Sequence, residues 1–138
     1  NSSNKIKLIE EFKNDRNSIL IGTRGFFQGI DIPGDSLRLV CINKIPFPTP
    51  DLISKAKGEI LKSEGKNDFN LLSVYPATQT MLQAIGRLIR HTSDKGVIAL
   101  FDDRLTSGLR WIQPIVRSLP DFARTQSLED VKDFFDNM

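Results

Sequence analysis

Three short apolar runs set the terms for this chain: Ser18–Thr23 (SILIGT), Leu37–Asn43 (LRLVCIN) and Gly96–Phe101 (GVIALF). Each is too short for a helix and apolar at successive positions, the pattern of a strand covered on both faces. Helical patterns lie around and between them. Ile6, Leu8, Ile9 and Phe12 predict an amphipathic helix over residues 4 to 14, broken at Asp15-Arg16-Asn17. Residues 51 to 63 favour helix, Gly65–Asn70 is polar and predicts a mobile loop, and Pro76 suits the first turn of a helix reaching about His91. Further helices are predicted near Leu109–Ser118 and Leu128–Phe135, the last capped by Ser127 with Asp130. Pro33-Gly34 closes a glycine-studded stretch, and Pro46, Pro48 and Pro50 forbid regular structure where they stand. Buried strands alternating with helices imply an α/β fold, a parallel sheet flanked by helices. In such sheets ligands gather where strands end, which here means the loop after Thr23 and the pair Asp102-Asp103.

The length of 138 residues bounds the answer at one domain, read as residues 1–138. A formal charge of +2 neither demands nor excludes a polyanion. Its distribution is more telling: Met81–Arg117 holds Arg87, Arg90, Lys95, Arg104, Arg110 and Arg117 against Asp94, Asp102 and Asp103, while Pro120–Met138 is acidic. A cationic centre beside an acidic tail is compatible with phosphate contact. One cysteine, Cys41, and one histidine, His91, cannot build a zinc or iron–sulfur site, so no metal site is expected within the chain. Cys41 reads as a small buried hydrophobe, and a lone cysteine favours a reducing compartment. No apolar stretch nears the roughly 20 residues that span a bilayer, and neither a secretory pattern nor an initiator Met opens the chain. These features predict an internal or C-terminal piece of a longer cytoplasmic protein.

The segment Pro76–His91, PATQTMLQAIGRLIRH, carries the chemistry. On a wheel of about 100° per residue, Gln79, Gln83, Gly86, Arg87 and Arg90 share one face. Met81, Leu82, Ile85, Leu88 and Ile89 share the other. The apolar face packs on a sheet; the polar one presents an amide, a glycine and two guanidiniums along about 10 Å of helix. Arginine is always charged and its planar fork can bind two phosphate oxygens, so two of them a turn apart suit a leaving terminal phosphate. Gly86 permits close approach, and Gln83 can orient an oxygen or a water. Standing alone, the same face also fits an ordinary solvated helix, although a glycine inside a helix costs about 1 kcal/mol against alanine and so asks for a reason.

Four blocks then resemble one family. Gln83-Ala-Ile-Gly-Arg-Leu-Ile-Arg90 is similar to motif VI of superfamily 2 helicases, QxxGRxxR, in the form found in the DinG and XPD branch. Gly22-Thr-Arg-Gly-Phe-Phe-Gln-Gly-Ile-Asp-Ile-Pro-Gly34 resembles that branch's motif V region, with Phe27 and Gln28 where Trp and Glu are common. Lys44-Ile-Pro-Phe-Pro-Thr-Pro-Asp51 resembles its K[IL]xFxxPxx segment, and Gly96–Leu105 its GxVxxxDxRL strand. The resemblance covers most of residues 18 to 120. It implies a RecA-like parallel sheet, the second (C-terminal) helicase domain, lacking its first strand.

It also implies that ATP and Mg²⁺ are bound jointly with a first motor domain, which supplies the phosphate loop, since no GxxxxGK[ST] occurs here. Carried over by motif position, Arg87 and Arg90 contact the γ-phosphate and Gln83 sits beside the nucleotide, as the catalytic set. Gly86, Gly29 and Asp31 line the nucleotide side, with Asp31 facing the ribose or metal edge. Thr23 and Arg24 contact single-stranded DNA. Asp102 and Asp103 either bond across the cleft or cap a helix, and Trp111 belongs to a core or interface. The implied protein is an ATP-dependent DNA helicase, monomeric at full length, with single-stranded DNA and its own N-terminal motor domain as partners. The isolated chain is expected to be inactive. Any iron–sulfur cluster lies outside this chain. Two alternatives stand beside it: the same motor fold in a protein acting mainly as an exonuclease, and a non-catalytic DNA- or partner-binding RecA-like module.

Overall fold

The structure is a computed structural model that describes residues 2–15, 17–23, 32, 36–91 and 93–138. Its contacts fall into two units, Asn1–Cys41 with Ala84–Ala99 and Ser127–Met138, and Ile42–Gln83 with Leu100–Gln126. In chain order the elements are α1 (Ser2–Asn14), β1 (Leu39–Ile42), α2 (Leu52–Ser63), a π turn (Asn70–Val74), α3 (Tyr75–Leu88), β2 (Val97–Leu100), α4 (Gln113–Ser118) and α5 (Leu128–Asp136). Short 3-10 turns at Asp103–Thr106 and Arg110–Ile112 link β2 to α4.

β1 and β2 form a two-stranded sheet. Val97 N–H donates to the Arg38 carbonyl at 2.9 Å and Phe101 N–H to the Ile42 carbonyl at 3.0 Å, an unchanged offset that makes the pair parallel. This is the α/β arrangement expected, a partial RecA-like domain. The first apolar run is different. Ser18–Thr23 joins no strand ladder among the described residues, and Ile19 and Ile21 are 86% and 88% exposed. A strand apolar on both faces is buried only by strands on each side, and none among the described residues pairs with it. β1 departs similarly from expectation: Val40 is buried, but Leu39 and Cys41 point outward and are exposed, so Cys41 is not a core residue.

In the unit Ile42–Gln83 with Leu100–Gln126, Ile45, Val74, Ala77, Met81, Ile112 and Ile115 form the core. Met81, Ile112 and Ile115 are its largest fully buried side chains. Beside it, Phe47, Phe69 and Trp111 pack with ring centroids 5.5–6.0 Å apart, which places Trp111 in a half-buried aromatic cluster. Asp51 opens α2 with a capping box, its carboxylate accepting from Ser54 N–H at 2.7 Å. At the other end Gly65, at φ +71, accepts the left-handed turn in which Lys66 N–H reaches back to the Leu61 carbonyl at 2.9 Å.

The polar stretch expected to be a loop turns helical at Asp68. Pro76 is therefore not in a first turn; it stands inside a helical run. A proline there has no N–H to give, and its ring crowds the carbonyl four residues back. The π turn immediately before it, in which Tyr75 N–H bonds to Asn70 five residues earlier, widens the helix where that crowding falls. In the other unit, Ser127 caps α5 by accepting from Glu129 and Asp130 N–H, and the Arg38 guanidinium lies 5.6 Å from the Phe135 ring centre.

Candidate functional site

α3 follows the two-faced pattern. Met81, Ile85 and Leu88 are 1%, 4% and 5% exposed, whereas Gln79, Gln83 and Gly86 are exposed and Arg87 is half-buried in the last turn. A methyl group added at Gly86 would meet nothing within 4 Å among the described residues, so no contact among them accounts for a glycine there.

The helix stops at Leu88, short of the His91 end expected, and Arg90 lies just beyond it. The cause is Asp94. Ile89 N–H still makes the helical bond, to the Ile85 carbonyl at 3.2 Å. The next two donors are diverted: Arg90 N–H and His91 N–H give to Asp94 Oδ2 at 2.8 and 2.9 Å. Asp94 N–H in turn closes the turn on the His91 carbonyl at 3.1 Å. The N–H of Arg90, followed by that of His91, holds the Asp94 carboxyl below its ordinary range. The half-buried Arg90 side chain folds back, its Nε 3.4 Å from the Arg87 carbonyl. The Arg90 side chain thus lies against the last turn of α3, the turn that carries Arg87. The returning chain is close-packed as well: a methyl group on Gly96 would fall 2.6 Å from Leu88 Cδ1.

A second carboxylate ends β2. Asp102, 8% exposed, accepts from Ile45 N–H at 2.8 Å and from Arg104 through N–H, Nε and Nη2 at 3.2, 2.8 and 2.6 Å. The Arg104 guanidinium also covers Phe47 and Trp111, 5.3 and 6.0 Å from their ring centres. Paired with Arg104, the Asp102 carboxyl lies far below the usual carboxylate range despite its burial. Asp102 therefore caps the first 3-10 turn and ties the end of β2 to the segment after β1; the next acid, Asp103, is exposed. Thr23 is exposed, and Arg24, Gly29 and Asp31 lie outside the described residues. Among the described residues no group of three His, Cys, Asp or Glu is placed to hold a metal ion. No helix among them is long and apolar enough to cross a membrane.

A glycine-arginine helix end whose order and spacing follow one motif, in a parallel α/β frame, prompts comparison with known families. The family model described as helicase C-terminal domain matches residues 1–122. The chain is a helicase C-terminal domain. This helicase C-terminal domain is 38% identical over 136 residues to "ATP-dependent DNA helicase YoaA" of Haemophilus influenzae, covering 98% of the chain and 21% of that protein. It is 38% identical over 127 residues to "ATP-dependent helicase DinG" of Mycobacterium tuberculosis, covering 91% of the chain and 19% of the relative. With "3'-5' exonuclease DinG" of Bacillus subtilis the identity is 43% over 100 residues, 72% of the chain and 11% of the relative. The chain spans about a fifth or less of these proteins. The DinG-type resemblance read from the four motif blocks agrees with these names.

Sequence reasoning on the helicase C-terminal domain missed Asp94. The signal was available in principle, an acid following the paired arginines and placed to cap a helix end. Such a side chain competes with the backbone ladder only once the turn is known.

Proposed function

We propose that this chain is the second motor domain of an ATP-dependent DNA helicase of the DinG type, completing an ATP site whose phosphate loop and Mg²⁺-binding carboxylates belong to another domain. One observation carries the reading. Arg87 stands in the last turn of a helix whose opposite face is buried and Arg90 folds back on that turn, with Gly86 open and Gln83 exposed on the same stretch. Two guanidiniums carried by one helix end suit a terminal phosphate, because their positive charge offsets the negative charge that grows on the leaving group. Gln83 orients an oxygen or a water there, and the space over Gly86 admits a backbone or a nucleotide. Gly29 and Asp31 line the ribose or metal edge, and Thr23 and Arg24 contact single-stranded DNA. Held by the other domain's carboxylates, Mg²⁺ would neutralise further phosphate charge when bound. The protein works as a monomer in the reducing cytoplasm, and without the other motor domain this chain turns over no ATP.

The test is Arg90→Ala in the full-length protein. DNA-stimulated ATPase is expected to vanish while ATP affinity stays within about tenfold. Unchanged turnover rejects the arginine-finger role.

A second reading is favoured by the name of the Bacillus subtilis relative, an exonuclease. There the same motor fold accompanies a protein whose main output is DNA degradation. Degradation at the parental rate by the Arg90→Ala protein would favour that reading.

A further inference from the structure

The two backbone donors at the end of α3 do not go where a helix would send them. In a continued helix Arg90 N–H would bond to the Gly86 carbonyl and His91 N–H to the Arg87 carbonyl, four residues back. Asp94 Oδ2 takes both instead, at 2.8 and 2.9 Å. A carboxylate accepting two N–H groups competes well with neutral carbonyls, because charge-assisted hydrogen bonds are the stronger kind. The diversion has a second effect: with His91 N–H engaged elsewhere, the Arg87 carbonyl receives Arg90 Nε at 3.4 Å. Gly96 seals the arrangement, since the chain returns against Leu88 so closely that a methyl group there would lie 2.6 Å from Cδ1.

We propose that Asp94 is a positioning residue for Arg90: by capturing the Arg90 and His91 N–H groups it ends the helix at Leu88 and sets the backbone from which the second arginine reaches the nucleotide. The inference rests on the arginine-finger reading above. Without the carboxylate, the two donors return to the Gly86 and Arg87 carbonyls and the helix gains residues. Arg90 then leaves from a different backbone position and loses its bond to Arg87. A displacement of about 1 Å at a catalytic group costs about 10²-fold in rate. ATP binding is affected far less, because most of its contacts lie on the other motor domain.

The experiment uses the full-length protein with single-stranded DNA and compares Arg90→Ala, Asp94→Ala and Asp94→Asn. Asp94→Ala is expected to lower kcat for ATP hydrolysis by about 10- to 100-fold. KM for ATP and the affinity for DNA should stay within about threefold, with the thermal midpoint unchanged. Asp94→Asn, which keeps an acceptor oxygen, should recover part of the loss. If Arg90→Ala abolishes turnover while Asp94→Ala does not, the positioning role is overturned and the finger reading survives. A fall in kcat that follows a fall in thermal midpoint would make Asp94 a structural cap only and also overturn it. Full activity in Arg90→Ala overturns both.

Discussion

Two carboxylates flank β2, and they do opposite work. Asp94, before the strand, is in the solvent-accessible turn after α3 and receives only backbone N–H groups in the bonds described above. Asp102, after it, is buried, receives a backbone N–H from a residue 57 positions away, and is paired with Arg104 against an aromatic cluster. The same functional group therefore organises a local turn in one place and fastens two distant segments in the other. The difference lies in reach and burial. A long-range bond to a buried charge leaves that charge stranded when its partner goes, whereas an exposed turn can hand its donors to water or to the helix ladder.

Substitution at the two positions should separate these roles. Asp102→Asn keeps the shape but removes the charge, and is expected to cost about 2–3 kcal/mol in urea denaturation of the chain. That is less than a wholly buried pair would lose, because the Arg104 side chain is 42% exposed. Asp94→Asn should leave the same measurement almost unmoved; equal losses at the two positions would erase the contrast.

The pH dependence sharpens it. The Asp102 carboxyl is held below its unfolded value near 3.9, so its stabilisation is complete above that value and is lost as pH falls towards the folded one. The stability gap between the parent and Asp102→Asn is therefore expected to stay constant above about pH 5 and to narrow in acid. A gap that widened in acid would contradict the assigned pairing.

A smaller effect is expected at Gly96. Gly96→Ala drives a methyl group into Leu88 and should cost about 1–2 kcal/mol by the same denaturation measurement, with part of the strain relieved by a rotation of the Leu88 side chain. No loss would show that the turn is looser than its packing against Leu88 indicates.

Much of this was legible from residue order alone. Periodicity located α1 and the two faces of α3, propensity located α2, a capping serine marked α5, and short apolar runs marked β1 and β2, since those signals are local. The family resemblance was legible because motif spacing survives as text. What escaped depended on something distant or on a single side chain. Ser18–Thr23 has the composition of a buried strand, yet burial is conferred by neighbours. The end of α3 was set by a carboxylate beyond it, and the π turn by a proline whose ring had to be accommodated. Gly29, Asp31 and Arg24 were read from motif position and lie outside the described residues.

The open space over Gly86 carries a practical lesson for anyone surveying variants. Among the described residues alanine there meets nothing, and it replaces a residue that weakens helices by about 1 kcal/mol. A screen scoring only folded yield would rank that substitution as harmless or beneficial. If a nucleotide or another backbone visits that surface, as the proposed function has it, tolerance measured on the isolated chain and tolerance measured in the working protein are different quantities.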